Sequence, residues 1–211
     1  MKIYITRHSK TIWNQEKRLQ GRNDSPLTQE GIENAYALKD YISDISFDKV
    51  YTSPILRAKK TCEIICGNND YIEDDRLMEM NFGDFEGKRI VDILKDDAEI
   101  YNDLWKRPEC FTRIDHGESY DEVKDRAVSF LDDLIKQSYE NVLIVTHGMY
   151  FVVLLATILG LDKKDYIKIN QPVVEGCSLT CVDYSHGKYT LEFYNQCDYL
   201  PHRSHTDFTQ G

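Results

Sequence analysis

The sequence predicts an α/β fold, a three-layer sandwich whose mostly parallel central sheet carries helices on both faces. Short apolar strands alternate along the chain with amphipathic helical segments, an order typical of parallel sheets. The run 141–146 is apolar almost throughout, which indicates a strand buried on both faces. No linker, low-complexity run or internal repeat divides the 211 residues. We therefore expect one domain over 1–211.

The first half of the chain contains two predicted strand–helix units. Apolar residues at alternate positions of 3–6 predict a strand, and a helix is expected from about Thr28. A second strand is expected at 48–52. Ser53 and Pro54 then suit the N-cap and first position of another helix.

A short strand at 71–72 leads into a segment rich in acidic and aromatic residues. One or two helices are expected within 90–104, ending before Pro108. Ser119 and the Glu three positions later form a capping box that begins a long helix. We interpret roughly 82–117 as a small insertion, a lid that covers the site.

The last part of the chain predicts a strand, a helix and a hairpin. The strand at 141–146 is followed by an apolar helix that ends at Gly160. Two further strands, 177–184 and 188–194, flank the turn residues 185–187. This arrangement is typical of a β-hairpin.

The charge balance limits the partners that we expect. Lys and Arg number 26 and Asp and Glu 36, which gives a net charge of −10. Nucleic acids and anionic membranes both need a basic face, so we expect neither as a partner. Met1 leads directly into a strand, and the apolar stretch 149–161 is too short to span a bilayer. We expect a cytoplasmic protein, either a monomer or a homodimer.

Six cysteines raise the alternatives of disulfides and zinc. Cys62 and Cys66, and likewise Cys177 and Cys181, are four positions apart. Each pair lies on one face of a predicted helix or strand, where cysteine serves as a small core residue. Structural zinc sites usually space their paired ligands more closely. We expect six reduced thiols, no metal and no cofactor.

Three predicted strands end in threonine, and a residue suited to binding an anion follows each one. These residues are Arg7 and His8 after the first strand, Arg57 after the second, and His147 and Gly148 after the third. If the strands are parallel neighbours, two arginines, two histidines and two helix N-termini meet at one crevice. In a chain of net charge −10, this cluster implies a small phosphorylated ligand.

The sequence contains five blocks of chemically distinctive residues in a fixed order. They read RHSKTxxN at 7–14 with QG at 20–21 and DSPLTxxG at 24–31, YTSPxxRAxxT at 51–61, LxExxxGDxEG at 77–87, GES at 117–119 and VTHG at 145–148. These blocks resemble the histidine phosphatase (phosphoglycerate mutase-like) superfamily. Together they cover most of the chain between residue 3 and about residue 160. Five blocks in the family's order are a far more specific signal than any one alone.

The resemblance implies a covalent mechanism that needs no metal. His8 takes the phosphoryl group on a ring nitrogen, while Arg7, Arg57 and His147 hold the phosphoryl oxygens. Glu79 protonates the leaving oxygen and then activates water. These roles suit phosphoryl transfer, which depends on positioning and on stabilising charge spread over three oxygens. Neighbouring arginines also favour the neutral, nucleophilic form of His8.

The same resemblance implies further substrate-binding residues. Asn14 is expected to add a polar contact to the phosphoryl group, and Gln20 and Gly21 to line the substrate site. Gly148, at the start of the helix after His147, is expected to lie against the substrate.

The chain departs from the family pattern directly after His8. The family usually has Gly-Glu there, whereas this chain has Ser9 and Lys10. Ser9 either narrows the pocket and contacts the substrate or is a tolerated small residue. Lys10 is either a cation near the phosphate entrance or a surface charge. His116 either contacts the substrate from the lid or is also a surface charge. An unusual specificity is expected to show first at Ser9 and Lys10.

The function implied is hydrolysis of small phosphomonoesters. The block 83–87 is similar to the phosphatase branch, which includes broad-specificity and α-ribazole phosphate subgroups. The alternatives are an α-ribazole phosphate phosphatase, a phosphoglycerate mutase and a non-catalytic sensor of phosphorylated ligands. A sensor is disfavoured because it has no need for Glu79, whose carboxylate would repel a phosphate.

Overall fold

The computed structural model describes residues 1–67, 71–171 and 173–203. The strands are β1 Lys2–Arg7, β2 Lys49–Thr52, β3 Ile72–Glu73, β4 Asn141–Thr146, β5 Leu179–Ser185 and β6 Lys188–Gln196. The helices are α1 Ile12–Gln15, α2 Gln29–Tyr41, α3 Leu56–Cys66, α4 Ile90–Asp96, α5 Ala98–Lys106, α6 Tyr120–Leu134, α7 Gly148–Ile158 and α8 Tyr166–Ile169.

The six strands form one sheet in the order β3-β2-β4-β1-β5-β6. The first four strands in this order are parallel, and β5 and β6 are antiparallel to their neighbours. Arg7 of β1 lies opposite Thr146 of β4, and Thr52 of β2 lies opposite Val145. The carboxyl ends of three strands are therefore aligned at one edge, and the predicted mostly parallel sheet is confirmed.

Alternating side chains of the central strand face two separate cores. Val142 and Ile144 of β4 are buried in the core that also contains residues of α6 and α7. Leu143 and Val145 point the other way, into the core formed with α2 and α3. Helices therefore cover both faces of the sheet, as expected for a parallel strand with a continuous apolar run.

The predicted start of α3 was wrong. This helix begins at Leu56, and its N-cap is Ile55, which has no side-chain oxygen with which to cap it. The Ser53 hydroxyl accepts a hydrogen bond from the Ile55 amide and also contacts the ring of His147. Ser53 therefore belongs to the group of residues at the strand ends, and the helix begins two residues later than Pro54.

Other local signals agree with the structure. Ser119 and Glu122 form the predicted capping box of α6, and Thr28 caps α2. The hairpin between β5 and β6 turns at His186 and Gly187, both of which have positive φ. The short helix α1, capped by Thr11, was not among the predicted elements.

The inserted segment packs onto the core instead of standing apart from it. Phe82, Tyr101, Leu104 and Phe111 are buried together with residues of α6 and α7. Its two helices are α4 and α5, which meet the expectation of one or two helices before Pro108. Its action as a lid remains a prediction.

Over the described ranges, we find no helix that is long and apolar enough to cross a bilayer. All six cysteines lie within the described ranges, and none of them forms a disulfide.

Gly83, near the start of the inserted segment, packs against the backbone of Asp115 and Gly117 at the end of that segment. Its φ is +50°, and a Cβ there would lie 2.0 Å from the carbonyl oxygen of Asp115. We predict that Gly83→Ala lowers the free energy of unfolding by about 2 kcal/mol or more, because positive φ and a backbone clash both oppose it. Denaturant unfolding measures this change.

Gly187 provides the matched control. Its φ is +75°, but no atom lies within 4 Å of the position that a Cβ would occupy there. Gly187→Ala should therefore lower the free energy of unfolding by only about 1 kcal/mol, because the positive φ opposes it but no clash does. Equal losses for the two variants would show that the contact with Asp115 contributes nothing.

Candidate active site

The aligned ends of β1, β2 and β4 open into a cavity of about 70 Å³. Eight of the residues that line it were expected at the site, five of which are Arg7, His8, Arg57, Glu79 and Gly148. The topology therefore brings together residues that are as many as 141 positions apart in the chain.

His8 is held in one tautomer. Its amide donates to the carbonyl of Thr146 at 2.8 Å, which continues the pairing of β1 with β4. Its Nδ1 lies 2.7 Å from the carbonyl of Ser9, and its Nε2 lies 3.1 Å from Nε of Arg57. A guanidinium N–H can only donate, so Nε2 carries the lone pair and Nδ1 carries the proton.

The environment of His8 also keeps the ring neutral. Burial lowers the pKa of His8 well below its ordinary value, and the charges of Arg57 and Arg7 lower it further. Both effects disfavour the imidazolium. Nε2 is therefore available as a nucleophile without a base to deprotonate it.

Arg57 is a buried cation, 1% exposed, whose donors are used by the loop 21–24. Nη2 donates to the Gly21 carbonyl at 2.6 Å. Nη1 donates to the Asn23 carbonyl at 2.7 Å and to a carboxylate oxygen of Asp24 at 3.0 Å. This pairing offsets the cost of burying the charge. The loop thus determines where Arg57 meets His8.

Glu86 in turn holds this loop. Its carboxylate accepts from the amides of Arg22 and Asn23, each at 2.9 Å, and from the amide of Phe82 at 3.0 Å. Glu86 connects the inserted segment to the residues that orient Arg57. It is therefore a positioning residue, a role that the sequence pattern did not indicate.

His147 lies beside His8, with ring centroids 5.2 Å apart. Its Nε2 is 2.7 Å from the hydroxyl of Ser53, and its buried Nδ1 has no hydrogen-bond partner among the described residues. Burial lowers the pKa of His147 well below its ordinary value, with Arg57 next in effect. The ring is neutral, and His147 is not among the described residues that line the cavity although it lies beside His8, which does.

Arg7 lies against the start of α7. Its Nη1 donates to the carbonyl of Val174 at 2.8 Å, and its buried Nε has no hydrogen-bond partner in the described part of the chain. A Cβ on Gly148 would lie 3.4 Å from that Nε. Gly148 therefore allows the guanidinium to approach the helix closely.

Glu79 occupies the N-terminus of α7. Its Oε1 accepts from the amides of Met80 and Tyr150, each at 2.9 Å, and its Oε2 accepts from Met149 at 3.1 Å. The expectation that this helix N-terminus binds the substrate anion needs correction, because the protein's own carboxylate takes these two helix amides. The buried side chain is well fixed, and Oε2 makes the fewer contacts.

The other polar residues expected at the substrate site are present in the cavity wall. Asn14, Gln20 and Gly21 all line it. The side-chain oxygen of Asn14 accepts from the Thr11 amide, and that of Gln20 is 3.1 Å from the Thr11 hydroxyl. Both amide side chains are therefore oriented by one threonine.

Ser9 is not among the described residues that line the cavity. Its hydroxyl donates to the Gly31 carbonyl at 2.6 Å, and its amide donates to the hydroxyl of Thr61. Lys10 forms an ion pair with Glu30 at 2.6 Å. Both side chains point to the first turn of α2. We therefore withdraw the expectation that Ser9 contacts the substrate.

His116 is also distant from the cavity wall. Its side chain is 84% exposed, and its Nδ1 lies 2.9 Å from a carboxylate oxygen of Asp84, which raises the pKa of the histidine. The ring lies on the outer surface of the inserted segment because Asp84 holds it there. Of the two alternatives for His116, the geometry supports the surface charge.

Reasoning from the sequence missed several residues around the site. Asp24 and Ser53 stood in blocks quoted for the resemblance, but neither received a role. Tyr101 and Trp105 line the cavity from α5 and were not considered, because no local pattern distinguishes them from ordinary core aromatics.

Comparison with known proteins finds relatives over most of the chain. The family model described as "Histidine phosphatase superfamily (branch 1)" matches residues 3–197. The chain is 35% identical over 190 residues to "Probable phosphoglycerate mutase GpmB" of Escherichia coli, covering 87% of this chain and 85% of that protein.

Two solved structures are similar over most of the fold. Bacillus stearothermophilus YhfR matches with a TM-score of 0.88 and 29% identity, covering 94% of this chain and 98% of that one. The α-ribazole phosphatase from Shigella flexneri matches with a TM-score of 0.82 and 28% identity, covering 93% and 96%.

The neutral state of His8 predicts a pH dependence of stability. Its pKa is lower in the folded protein, so below about pH 6.5 the unfolded chain binds more protons and stability falls as pH falls. Between pH 7.5 and 5.5 the wild type should lose about 1.4 kcal/mol more of its unfolding free energy than His8→Gln does. Denaturant unfolding at both pH values measures this difference. His186→Asn, in the exposed turn, is the control, and parallel losses in wild type and His8→Gln would contradict the prediction.

The position of Glu86 predicts an effect on His8 at a distance. In Glu86→Gln an amide NH₂ replaces one carboxylate oxygen, and this group cannot accept hydrogen bonds from the backbone amides that it faces. The loop 21–24 is then held less firmly, and so is Arg57, which is bound to it. The pKa of His8, measured by NMR of the imidazole, should rise as this cation moves away, because the charge of Arg57 is one of the causes that lower it. Asp84→Asn, on the same turn, should leave it unchanged. An unaltered pKa of His8 in Glu86→Gln would show that the loop 21–24 keeps its position without the carboxylate.

Proposed function

This chain belongs to branch 1 of the histidine phosphatase superfamily, and from that premise we propose that it is a metal-independent phosphatase of small phosphomonoesters. The observation that carries the proposal is the hydrogen bond from Arg57 Nε to His8 Nε2. It leaves a neutral imidazole with its lone pair beside two arginines, which is what nucleophilic attack on a phosphoryl group requires.

The first step transfers the phosphoryl group to His8. The Nε2 lone pair gives up the hydrogen bond that it accepts from Arg57 Nε and forms a bond to phosphorus as the bond from phosphorus to the ester oxygen breaks. Glu79 gives a proton to the departing oxygen, and its Oε2 is suited to this because, within the described residues, the Met149 amide alone donates to it. Arg7 and Arg57 neutralise the charge that develops on the equatorial oxygens.

His147 supplies a further donor to those oxygens. In a neutral imidazole only one nitrogen carries a proton. If the Ser53 hydroxyl donates to Nε2, the proton resides on Nδ1, the atom without a partner among the described residues. Ser53 thus selects the tautomer that offers an N–H to the phosphoryl group.

The second step hydrolyses the phosphohistidine. Water attacks phosphorus, the bond from phosphorus to Nε2 breaks, and the electron pair returns to His8. Glu79, now ionised, takes the proton of the attacking water. Inorganic phosphate leaves, and both groups have regained their initial protonation states.

Two related activities are alternatives within the same mechanism. A phosphoglycerate mutase is favoured by the 35% identity to a protein of that description. An α-ribazole phosphate phosphatase is favoured by the similarity to the Shigella flexneri structure. A mutase would return the phosphoryl group from His8 to a phosphoglycerate instead of to water. A non-catalytic sensor is less well supported, since Glu79 is held rigidly beside the cations.

We predict steady release of phosphate from a panel of phosphomonoesters in excess chelator. His8→Ala should lower kcat/KM by about 10³-fold or more, because the covalent route is lost. In the wild type, acid-labile phosphate should appear on His8 during turnover, as detected by mass spectrometry after rapid quenching.

His186→Asn controls for the loss of a histidine and should retain full activity. Activity abolished by the chelator would contradict the metal-free mechanism. Interconversion of phosphoglycerates without net phosphate release would favour the mutase.

A further inference from the structure

The cavity has a second wall that the phosphoryl chemistry does not use. Its apolar and aromatic lining residues include Leu19, Phe82, Ile90, Tyr101, Trp105 and Met149. The ring of Trp105 lies 6.2 Å from the ring of Phe82 and 6.2 Å from that of Tyr101, centroid to centroid. We call Phe82, Tyr101 and Trp105 the aromatic wall.

Two polar atoms of the aromatic wall lack partners. The Tyr101 hydroxyl and the Trp105 Nε1 are buried, and neither has a hydrogen-bond partner among the described residues. Tyr101 is 3% exposed, and burial raises its pKa to about 12, so the hydroxyl keeps its proton. An indole N–H can only donate. Buried donors of this kind are unfavourable unless a ligand supplies an acceptor.

The charges around the cavity disfavour a second anionic group on the substrate. Arg7, Arg18 and Arg57 are the cations among its described lining residues. Arg18 forms an ion pair with Glu16 at 2.6 Å and donates a hydrogen bond to the carbonyl of Gly87 at 2.9 Å. The other two belong to the phosphoryl site. A carboxylate on the leaving group would therefore find no uncommitted guanidinium in the described wall.

We propose that the aromatic wall binds the leaving group, and that the substrate is a phosphate ester of a compact, apolar or aromatic alcohol that carries a hydrogen-bond acceptor. Trp105 Nε1 and the Tyr101 hydroxyl contact that acceptor. The cavity of about 70 Å³ favours a single ring over a larger group. This inference rests on the proposed phosphatase activity and specifies its substrate class.

Benzyl phosphate and the three pyridylmethyl phosphates test the inference. They share one shape and one kind of leaving alcohol, and they differ only in whether and where the ring carries an acceptor nitrogen. We expect kcat/KM for benzyl phosphate to exceed that for glycerol 3-phosphate and 3-phosphoglycerate by at least about 10-fold. The best pyridylmethyl isomer should exceed benzyl phosphate by about 3-fold or more. Equal or better use of glycerol 3-phosphate would overturn the proposal.

Conservative variants distinguish a role of the aromatic wall in substrate binding from a general effect on folding. Trp105→Phe keeps an aromatic ring but removes the N–H, and Tyr101→Phe removes only the hydroxyl. Each should abolish most of the preference for the best pyridylmethyl ester over benzyl phosphate, a ratio that a general loss of folding or activity would not alter. Tyr36→Phe, on the exposed face of α2, is the matched control. A uniform loss with every substrate would refute the role of these two residues.

A binding measurement distinguishes failure of this inference from failure of the proposed function. The chain has two tryptophans, so Trp13→Phe leaves Trp105 as the sole tryptophan emitter. Benzylphosphonate, which is not hydrolysed, should change the Trp105 fluorescence and bind at least about 10-fold more tightly than methylphosphonate does.

If no ester is hydrolysed but benzylphosphonate binds in this way, the phosphatase assignment fails and the aromatic wall is supported. If esters are hydrolysed but the two phosphonates bind equally, the phosphatase assignment is supported and the aromatic wall is rejected.

Discussion

The burial of Arg57 is the constraint on which the site depends. A guanidinium in the interior is tolerated only when its donors are paired. Here they are paired with His8 and with the loop 21–24, and Glu86 holds that loop from the inserted segment. One buried charge therefore connects the end of β1, the start of α3 and the inserted segment. The tautomer of His8 follows from this arrangement, and burial of the ring together with the charge of Arg57 keeps it neutral.

In many anion-binding folds a helix N-terminus binds the ligand, whereas the N-terminus of α7 binds a side chain of the protein itself. Its amides at Met149 and Tyr150 are taken by Glu79, a carboxylate supplied by the protein. The phosphoryl group must then be bound mainly by side chains. This division suits the proposed function, in which the helix would fix Glu79 as the proton donor while the arginines would bind the oxygens.

The inserted segment, and not the pair of residues directly after His8, contributes side chains to the cavity wall. Ser9 and Lys10 depart from the family pattern, yet both contact the first turn of α2. By contrast, Tyr101 and Trp105 of α5 face the same cavity as His8. The sheet thus supplies the strand ends of the site, and the insertion supplies the aromatic part of the cavity wall. Under the proposed function, substitutions in α5 would alter substrate choice without disturbing the strand ends.

The sequence by itself determined the strands, the alternation of helices and the three strand ends that carry Arg7, His8, Arg57 and His147. These features follow from local periodicity and from the rule that parallel strands align their carboxyl ends. Which loop residues support the site was decided only by the tertiary structure. Ser53 contacts His147, and Glu86 holds the loop beside Arg57, across separations of 94 and 64 residues. No local pattern encodes such partners, because a loop side chain acquires its direction only when the elements around it have packed.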